Sequence, residues 1–298
     1  MLIMCYNSCC LAMEEDVKAF LDYLAREKKY SSNTLAAYQS DLAQLTAYVK
    51  SSSSGGEVSN SQLLNTELLS GYMYDLREKK YAQSTVARKV AAAKSFLKYM
   101  LDTGKLRSDL TPNLASPQVN KPLPKPLSVS EVRRFLVEPA KLSSIEAKRD
   151  RSMLELLYAT GLRASELMAL NVDDVDLRAN KVRCRGGKAG VRVVPIDGYV
   201  AQMIKEYVSE IRPRLINNEA EIALFPNRRG DRLTRQGFWQ IIQGYADRAG
   251  LSRKVTPRSI RHSFAVHRIS RGADVQSVQE LLGHTNLSTT KVYQDVKV

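Results

Sequence analysis

The sequence predicts a mainly α-helical chain of two domains, with a small antiparallel β-sheet confined to the second. Three observations carry this expectation. Apolar residues recur at helical spacing through the N-terminal third. Five prolines, Pro112, Pro117, Pro122, Pro124 and Pro126, cluster in one short stretch. Beyond them, two β-rich runs flank a glycine-rich turn in a region that otherwise reads as helix.

Before the prolines, helices are expected over 14–28, 32–50, 65–79 and 84–103. In the second, Leu35, Tyr38, Leu42, Leu45 and Val49 share one face. Ser31 or Ser32 is placed to cap that helix and Ser84 the fourth, since a side-chain oxygen there accepts from an otherwise unpaired N–H. The run Ser51–Gly56 reads as a flexible loop. Glu14, Glu15 and Asp16 mark a helix start just after Met13. Either Met13 is the physiological start or residues 1–12 are disordered, so 1–12 are expected to be a disordered or non-native leader and 13–110 a helical domain.

An internal echo lies in this domain. Arg26-Glu27-Lys28-Lys29-Tyr30 recurs as Arg77-Glu78-Lys79-Lys80-Tyr81, each followed by a further helix. Either copy alone reads as a solvated helix end. The pair, on a basic chain, suggests two hairpins of one design whose turns offer Lys28, Lys29, Lys79 and Lys80 to a phosphate backbone.

Repeated X-Pro steps remove donors and disfavour helix, so 111–127 is expected to be a semi-rigid linker, with Lys121 and Lys125 adding charge along it. Residues 128–298 form the second domain. Its expected helices are 128–137, 145–161, 197–211, 234–249, 256–271 and 274–282. Ser128 caps the first, with Glu131 three residues on. The strands are Lys181–Arg185 and Val191–Pro195, joined by a turn that carries Lys188 between glycines.

Composition narrows the function. Of 298 residues, 45 are Lys or Arg and 31 Asp or Glu, a net charge of +14. Such a surplus favours a polyanion, because each neutralised phosphate releases condensed counterions. No apolar run approaches the roughly 18 residues of a membrane span. The first residues lack the basic leader and cleavage site of a signal peptide. Cys5, Cys9, Cys10 and Cys184 match no zinc-ligand spacing, and so few cysteines fit a reducing compartment. No metal or cofactor is expected.

The chemistry-bearing residues come late and in order: Arg163, Lys188, Arg261, His284 and Tyr293. Gly161 permits a tight turn before Arg163, and Glu166 sits one helical turn beyond it, placed to hold the guanidinium. Singly, that is an ordinary ion pair, and a hairpin-tip lysine is usually just solvated. Arg258 and Arg261 share a helix face and repel one another unless an anion lies near. His262 and His267 neighbour that face and read as packing or hydrogen-bonding residues. Gly283 reads as a helix C-cap that leaves His284 on a turn. Tyr293, in a short amphipathic segment, has a phenol with an ordinary pKa of about 10. Clustered cations are expected to favour its phenolate. Together the set suits a phosphodiester: arginines for its oxygens, a proton donor for a leaving alkoxide, and a phenolic nucleophile.

The segments TGLRASEL, GGKAGVRVVP, TPRSIRHSFAVH and LLGHTNLSTTKVY, in this order behind a basic helical domain, resemble the tyrosine recombinases of the lambda-integrase type, particularly the small Xer-like members. The resemblance covers nearly the whole chain from about residue 13. It implies a SAM-like helical DNA-binding domain followed by an α+β catalytic domain. It implies that Tyr293 attacks the scissile phosphate and forms a 3′-phosphotyrosyl link. Arg163 and Arg261 would bind the non-bridging oxygens, Lys188 would protonate the departing 5′ oxygen and His284 would hydrogen-bond the phosphate. No metal, cofactor or ATP takes part. The implied partner is a double-stranded DNA recombination site, bound by a homo-tetramer on two synapsed sites and by a monomer when free. The implied location is the cytoplasm, at the nucleoid. The implied role is chromosome-dimer resolution or mobile-element integration and excision. A type IB topoisomerase-like relaxase shares the chemistry, and a catalytically degenerate DNA-binding protein is the non-enzymatic alternative.

Two departures stand out. The family usually places histidine three residues before the second arginine; here that residue is Arg258, which cannot serve as a base. The expectation is that Arg258 binds phosphate or favours the phenolate, while water or His284 takes the tyrosine proton. Only Gln294 to Val298 follow Tyr293, so the longer tail that couples neighbouring protomers in many relatives is expected to be missing, replaced or truncated.

Overall fold

A computed structural model describes residues 2–52, 64–119, 123, 125–185, 190–251 and 255–296, with side chains from Met13 onward. The chain divides into two compact units, Met1–Lys121 and Pro122–Val298.

The first unit is built from α1 (Leu2–Arg26), α2 (Ser32–Ser52), α3 (Thr66–Glu78) and α4 (Gln83–Asp102). Helix α1 runs further N-terminally than the expected start near Glu14. The side chains of residues 1–12, the expected leader, lie outside those described. Leu42, Leu45 and Val49 of α2 face inward at the predicted spacing. They meet Phe20, Leu69, Tyr72 and Phe96 in one core, which Leu110 and Leu114 extend. Ser31 Oγ accepts from the Thr34 N–H (3.2 Å). Ser84 caps nothing: α4 starts behind Ala82, with no side-chain cap, and Ser84 falls inside its first turn. Asn65, which the sequence reading overlooked, caps α3 by accepting from the Leu68 N–H.

A buried charge cluster lies inside this unit. Asp41 is buried on α2 and pairs with Lys89 (3.1 Å) and Arg88 of α4. Removing Asp41 would strand the buried Lys89 ammonium away from water. The sequence echo also has a structural counterpart. Lys29 and Lys80, at equivalent positions, both take the left-handed backbone conformation, with φ of 51° and 52°. Non-glycine residues seldom do so, and both turns use this conformation at the same position of the echo. Tyr30 and Tyr81 follow, both exposed.

The second unit has eight α-helices among its described residues: α5 (Val129–Val137), α6 (Ile145–Thr160), α7 (Ala164–Ala169), α8 (Gly198–Glu206), α9 (Arg235–Arg248), α10 (Pro257–Ser270), α11 (Val275–Leu282) and α12 (Ser288–Lys291). The expected capping box of α5 is present: Ser128 Oγ accepts from the Glu131 N–H and Glu131 accepts from the Ser128 N–H. The expected helix 197–211 holds its α form only to Glu206, then widens into a π turn over Tyr207–Ile211.

Three antiparallel strands lie in the order β1 (Val175–Asp176), β2 (Lys181–Arg185), β3 (Val191–Pro195). Two match the predicted runs. β1 is too short to leave a periodic signal. Register pairs Val182 with Val194 and Cys184 with Arg192. These four share the inward face, so Arg192 points in while Val191 and Val193 face solvent. The core runs from Leu127 and Phe135 through α6 to Phe238 and Ile260. A satellite cluster around Phe264, Val266, Val278, Leu282 and Tyr293 supports the site.

Candidate active site

Gly161 starts the site. It ends α6 in the left-handed conformation (φ 61°), donating its N–H to Leu157 O. A β-carbon there would lie 2.3 Å from the Phe264 ring. Only glycine permits both the turn and this approach. Two residues on, Arg163 opens α7. Its N–H donates to Glu166 Oε2 (2.8 Å) and its guanidinium to Glu166 Oε1 (2.8 Å) and Gly283 O (3.0 Å).

Glu166 holds more than Arg163. Arg192 donates to both its oxygens, each at 2.8 Å, and a third bond from Arg192 reaches Leu281 O (2.7 Å). Arg261 Nη1 stands 3.9 Å from Oε2. Burial by itself would raise the Glu166 pKa, but hydrogen bonds from Arg192 and Arg163 outweigh it and hold the carboxyl down at about 2. Arg192 was absent from the expected site. The one sequence signal for it is a charge on a strand residue that shares a face with Val194.

Arg261, from α10, is buried. It donates to Gly161 O (2.7 Å) and Leu282 O (2.7 Å), and its Nη2 meets His284 Nε2 at 3.1 Å. Thus both arginines rest on carbonyls freed at the left-handed ends of α6 and α11. Such carbonyls lack helical partners, so they suit a cation. Burial and the neighbouring Arg163 push the Arg261 pKa down to about 10, which still leaves it charged at neutral pH.

Gly283 is the C-cap of α11, as expected (φ 63°). His284 follows. Its Nδ1 is 2.9 Å from Thr290 Oγ1 and its Nε2 faces Arg261, so both ring nitrogens are engaged. Its ring stacks on Tyr293 with centroids 6.4 Å apart, and it does not meet the phenolic oxygen. Of the two expected acceptors, water or His284, the histidine is bonded to Arg261 and Thr290 instead of the tyrosine. The nitrogen at that oxygen belongs to His262, whose Nδ1 lies 2.6 Å from Tyr293 Oη. Arg258 Nε in turn donates to His262 Nε2 (3.1 Å).

Tyr293 itself is buried behind α12. Its pKa lies above the ordinary value: burial raises it, and Arg261, Arg258 and Arg163 only partly reverse that. The expected pull of the clustered cations toward the phenolate is present, and burial outweighs it. His262 and His284 are both pushed down to about 4, by burial first and then by the arginines, so both are neutral near pH 7. His267 stands apart, its Nδ1 2.8 Å from Tyr158 Oη.

The structure thus gathers Arg163, Arg258, Arg261, His284 and Tyr293, and adds Glu166, Arg192 and His262. Lys188 and Lys121 lie outside the described residues. Lys28, Lys29, Lys79 and Lys80 sit on the two matching turns of the first unit, where Lys79 pairs with Asp75 (2.8 Å) and Lys28 lies over the Tyr23 ring. Lys125 belongs to the second unit. Among the described residues no cluster of three His, Cys, Asp or Glu side chains is placed to hold a metal ion. None of their helices is long and apolar enough to cross a membrane.

The profile of the phage integrase family matches residues 125–298, and that of the phage integrase N-terminal SAM-like domain matches 17–104. Tyrosine recombinase XerC of Roseiflexus castenholzii is 46% identical over 285 residues, covering 94% of this chain and 88% of that protein. Tyrosine recombinase XerD of Oceanobacillus iheyensis is 37% identical, covering 95% and 94%. In fold, the chain is similar to XerH site-specific recombinase bound to its difH substrate, with a TM-score of 0.72, 22% identity and coverage of 88% and 77%. A lambda integrase dimer bound to a core site also gives a TM-score of 0.72, with 14% identity and 95% coverage of both chains. Fold and family together define a tyrosine recombinase, an enzyme of site-specific DNA recombination. The chain belongs to the phage integrase family, among its XerC and XerD recombinases.

Proposed function

We propose that Tyr293 is the nucleophile of this recombinase. Its oxygen attacks the scissile phosphorus, the bond to the 5′ oxygen breaks, and a 3′-phosphotyrosyl link forms. The covalent link keeps the energy of the broken bond, so religation needs no ATP. Arg163 and Arg261 bind the non-bridging oxygens and stabilise the added charge of the pentacoordinate state. Their anchoring on Glu166 and on helix-end carbonyls fixes them before DNA arrives, so little reorganisation remains for the reaction step. His284 meets the phosphate once its Nε2 exchanges Arg261 for a phosphate oxygen as DNA binds, and Lys188 gives the departing 5′ oxygen its proton.

The observation that supports this reading most is the Tyr293 hydroxyl, held by His262 beside the Arg261–His284 pair. The duplex is gripped also through the lysine turns at 28–29 and 79–80, with Lys121 and Lys125. Four protomers act on two synapsed sites. Similarity to XerC and XerD favours chromosome-dimer resolution, in the cytoplasm at the nucleoid, over element mobility.

The test uses a duplex carrying the genomic site that the protein protects from nuclease, nicked beside each candidate phosphate so that the cleaved strand diffuses away. An SDS-resistant adduct with wild type and none with Tyr293→Phe is the expected result. Tight, specific binding with no wild-type adduct would overturn the enzymatic reading. An adduct with relaxation of plasmids lacking the site, and no joining of two sites, would favour a type IB topoisomerase-like relaxase.

A further inference from the structure

Arg258 stands where the family usually has histidine, and the structure shows what it touches. Its Nε donates to His262 Nε2 at 3.1 Å. That nitrogen must offer a lone pair, because a proton on it would face the N–H of a cation. A neutral imidazole with its lone pair on Nε2 carries its hydrogen on Nδ1. Nδ1 lies 2.6 Å from Tyr293 Oη, so in this contact the histidine donates and the tyrosine oxygen accepts. A histidine in that tautomer cannot take the tyrosine proton.

We propose that His262 is a catalytic residue for strand cleavage as a hydrogen-bond donor to the Tyr293 oxygen, and that Arg258 is the positioning residue that fixes its tautomer. The bond strengthens as the phenolate forms, since donors to an ionised acceptor bind more tightly than donors to a neutral one. Arg258, by bonding Nε2, makes the Nδ1–H a better donor. The arginine at this position thus works through the next turn of its own helix, four residues on. The other groups around the phenol are Arg261 of α10, Arg163 ahead of α7 and His284 after α11. His284 has both nitrogens occupied, which leaves solvent to receive the phenolic proton before attack. The phenolate oxygen then bonds to phosphorus. The P–O5′ electron pair stays on the 5′ oxygen, which takes up one proton, so protons balance over the step.

This rests on Tyr293 being the nucleophile, and the experiment separates the two claims. Adduct formation on the nicked duplex is timed for wild type, His262→Asn, His262→Phe and Arg258→Met, with Tyr293→Phe as control. An asparagine amide places an N–H near the former Nδ1–H but cannot accept a proton. His262→Phe is expected to slow adduct formation about 10- to 100-fold, with Asn restoring much of the loss. Asn as slow as Phe would mean that His262 is a base and would overturn the proposal. Imidazole nitrogen NMR of the DNA-free protein reads the tautomer directly. Wild type is expected as Nδ1–H and Arg258→Met as a mixture rich in Nε2–H, with slower adduct formation. Wild type found as Nε2–H, or Arg258→Met with unchanged tautomer and rate, would also overturn it. An adduct that survives Tyr293→Phe sinks the assignment of the nucleophile instead, while the NMR result still decides the tautomer.

Discussion

Arg192 grips Glu166 at both carboxylate oxygens, each at 2.8 Å, from β3, four residues along the chain from Lys188. Through Glu166 it is tied to Arg163, and Arg261 lies 3.9 Å from the same carboxylate. One buried acid therefore sets the geometry of two arginines proposed to hold phosphate. Glu166→Ala should destabilise the protein by about 3–5 kcal/mol, because it leaves buried cations uncompensated. Urea unfolding of the full chain measures this. The variant's adduct rate should also fall where a folded fraction remains.

The same carboxyl sets a pH dependence. Its folded pKa of about 2 lies below its usual 4.5. The stabilisation is complete above the higher value and is lost as pH falls through the lower. Its size is on the order of 3 kcal/mol. Urea midpoints of wild type and Glu166→Gln should converge as acid is added through that window. Parallel curves would refute the depressed pKa.

His262 and His284 should titrate near pH 4 in the DNA-free protein, as judged by their ring-proton NMR shifts. Both are depressed from the usual 6.5, so the unfolded chain binds protons that the folded one refuses. Their contribution to stability is complete above about pH 6.5 and fades toward pH 4. His267 supplies an internal comparison from outside the site.

Gly161→Ala should destabilise by about 2–4 kcal/mol, combining left-handed strain with overpacking against Phe264. Gly104, also left-handed but with open space around its Cβ, should show the strain alone when replaced by alanine. Thermal unfolding of the two variants separates clash from strain.

Cys184 is fully buried in β2, and burial pushes its thiol up to about 12. It should resist iodoacetamide in the native protein and react once urea unfolds the chain. Peptide mass spectrometry identifies the labelled site.

Much of the fold was legible because its signals are local. Helical spacing located α2, and a serine with a glutamate three residues on located the start of α5. What failed was equally physical. Ser84 has the right chemistry for a cap, yet α4 starts one residue before it. β1 is held by pairing to β2 rather than by its own pattern. In β3, register with Val182 and Cys184 turns Arg192 inward and Val191 and Val193 to solvent, a facing that the strand's own residues do not record.

The sequence by itself determined the division at the prolines, the family, and the order of Arg163, Lys188, Arg261, His284 and Tyr293, because each is written in neighbouring residues. Only the tertiary structure decided which histidine meets the tyrosine. His262, His267 and His284 are the chain's three histidines, and all lie within reach of Tyr293 along the sequence. The choice among them depends on the rotation of α10 and on the turn after α11. Those are fixed by packing around Phe264, Val278 and Leu282, far apart along the chain, and no local pattern records them.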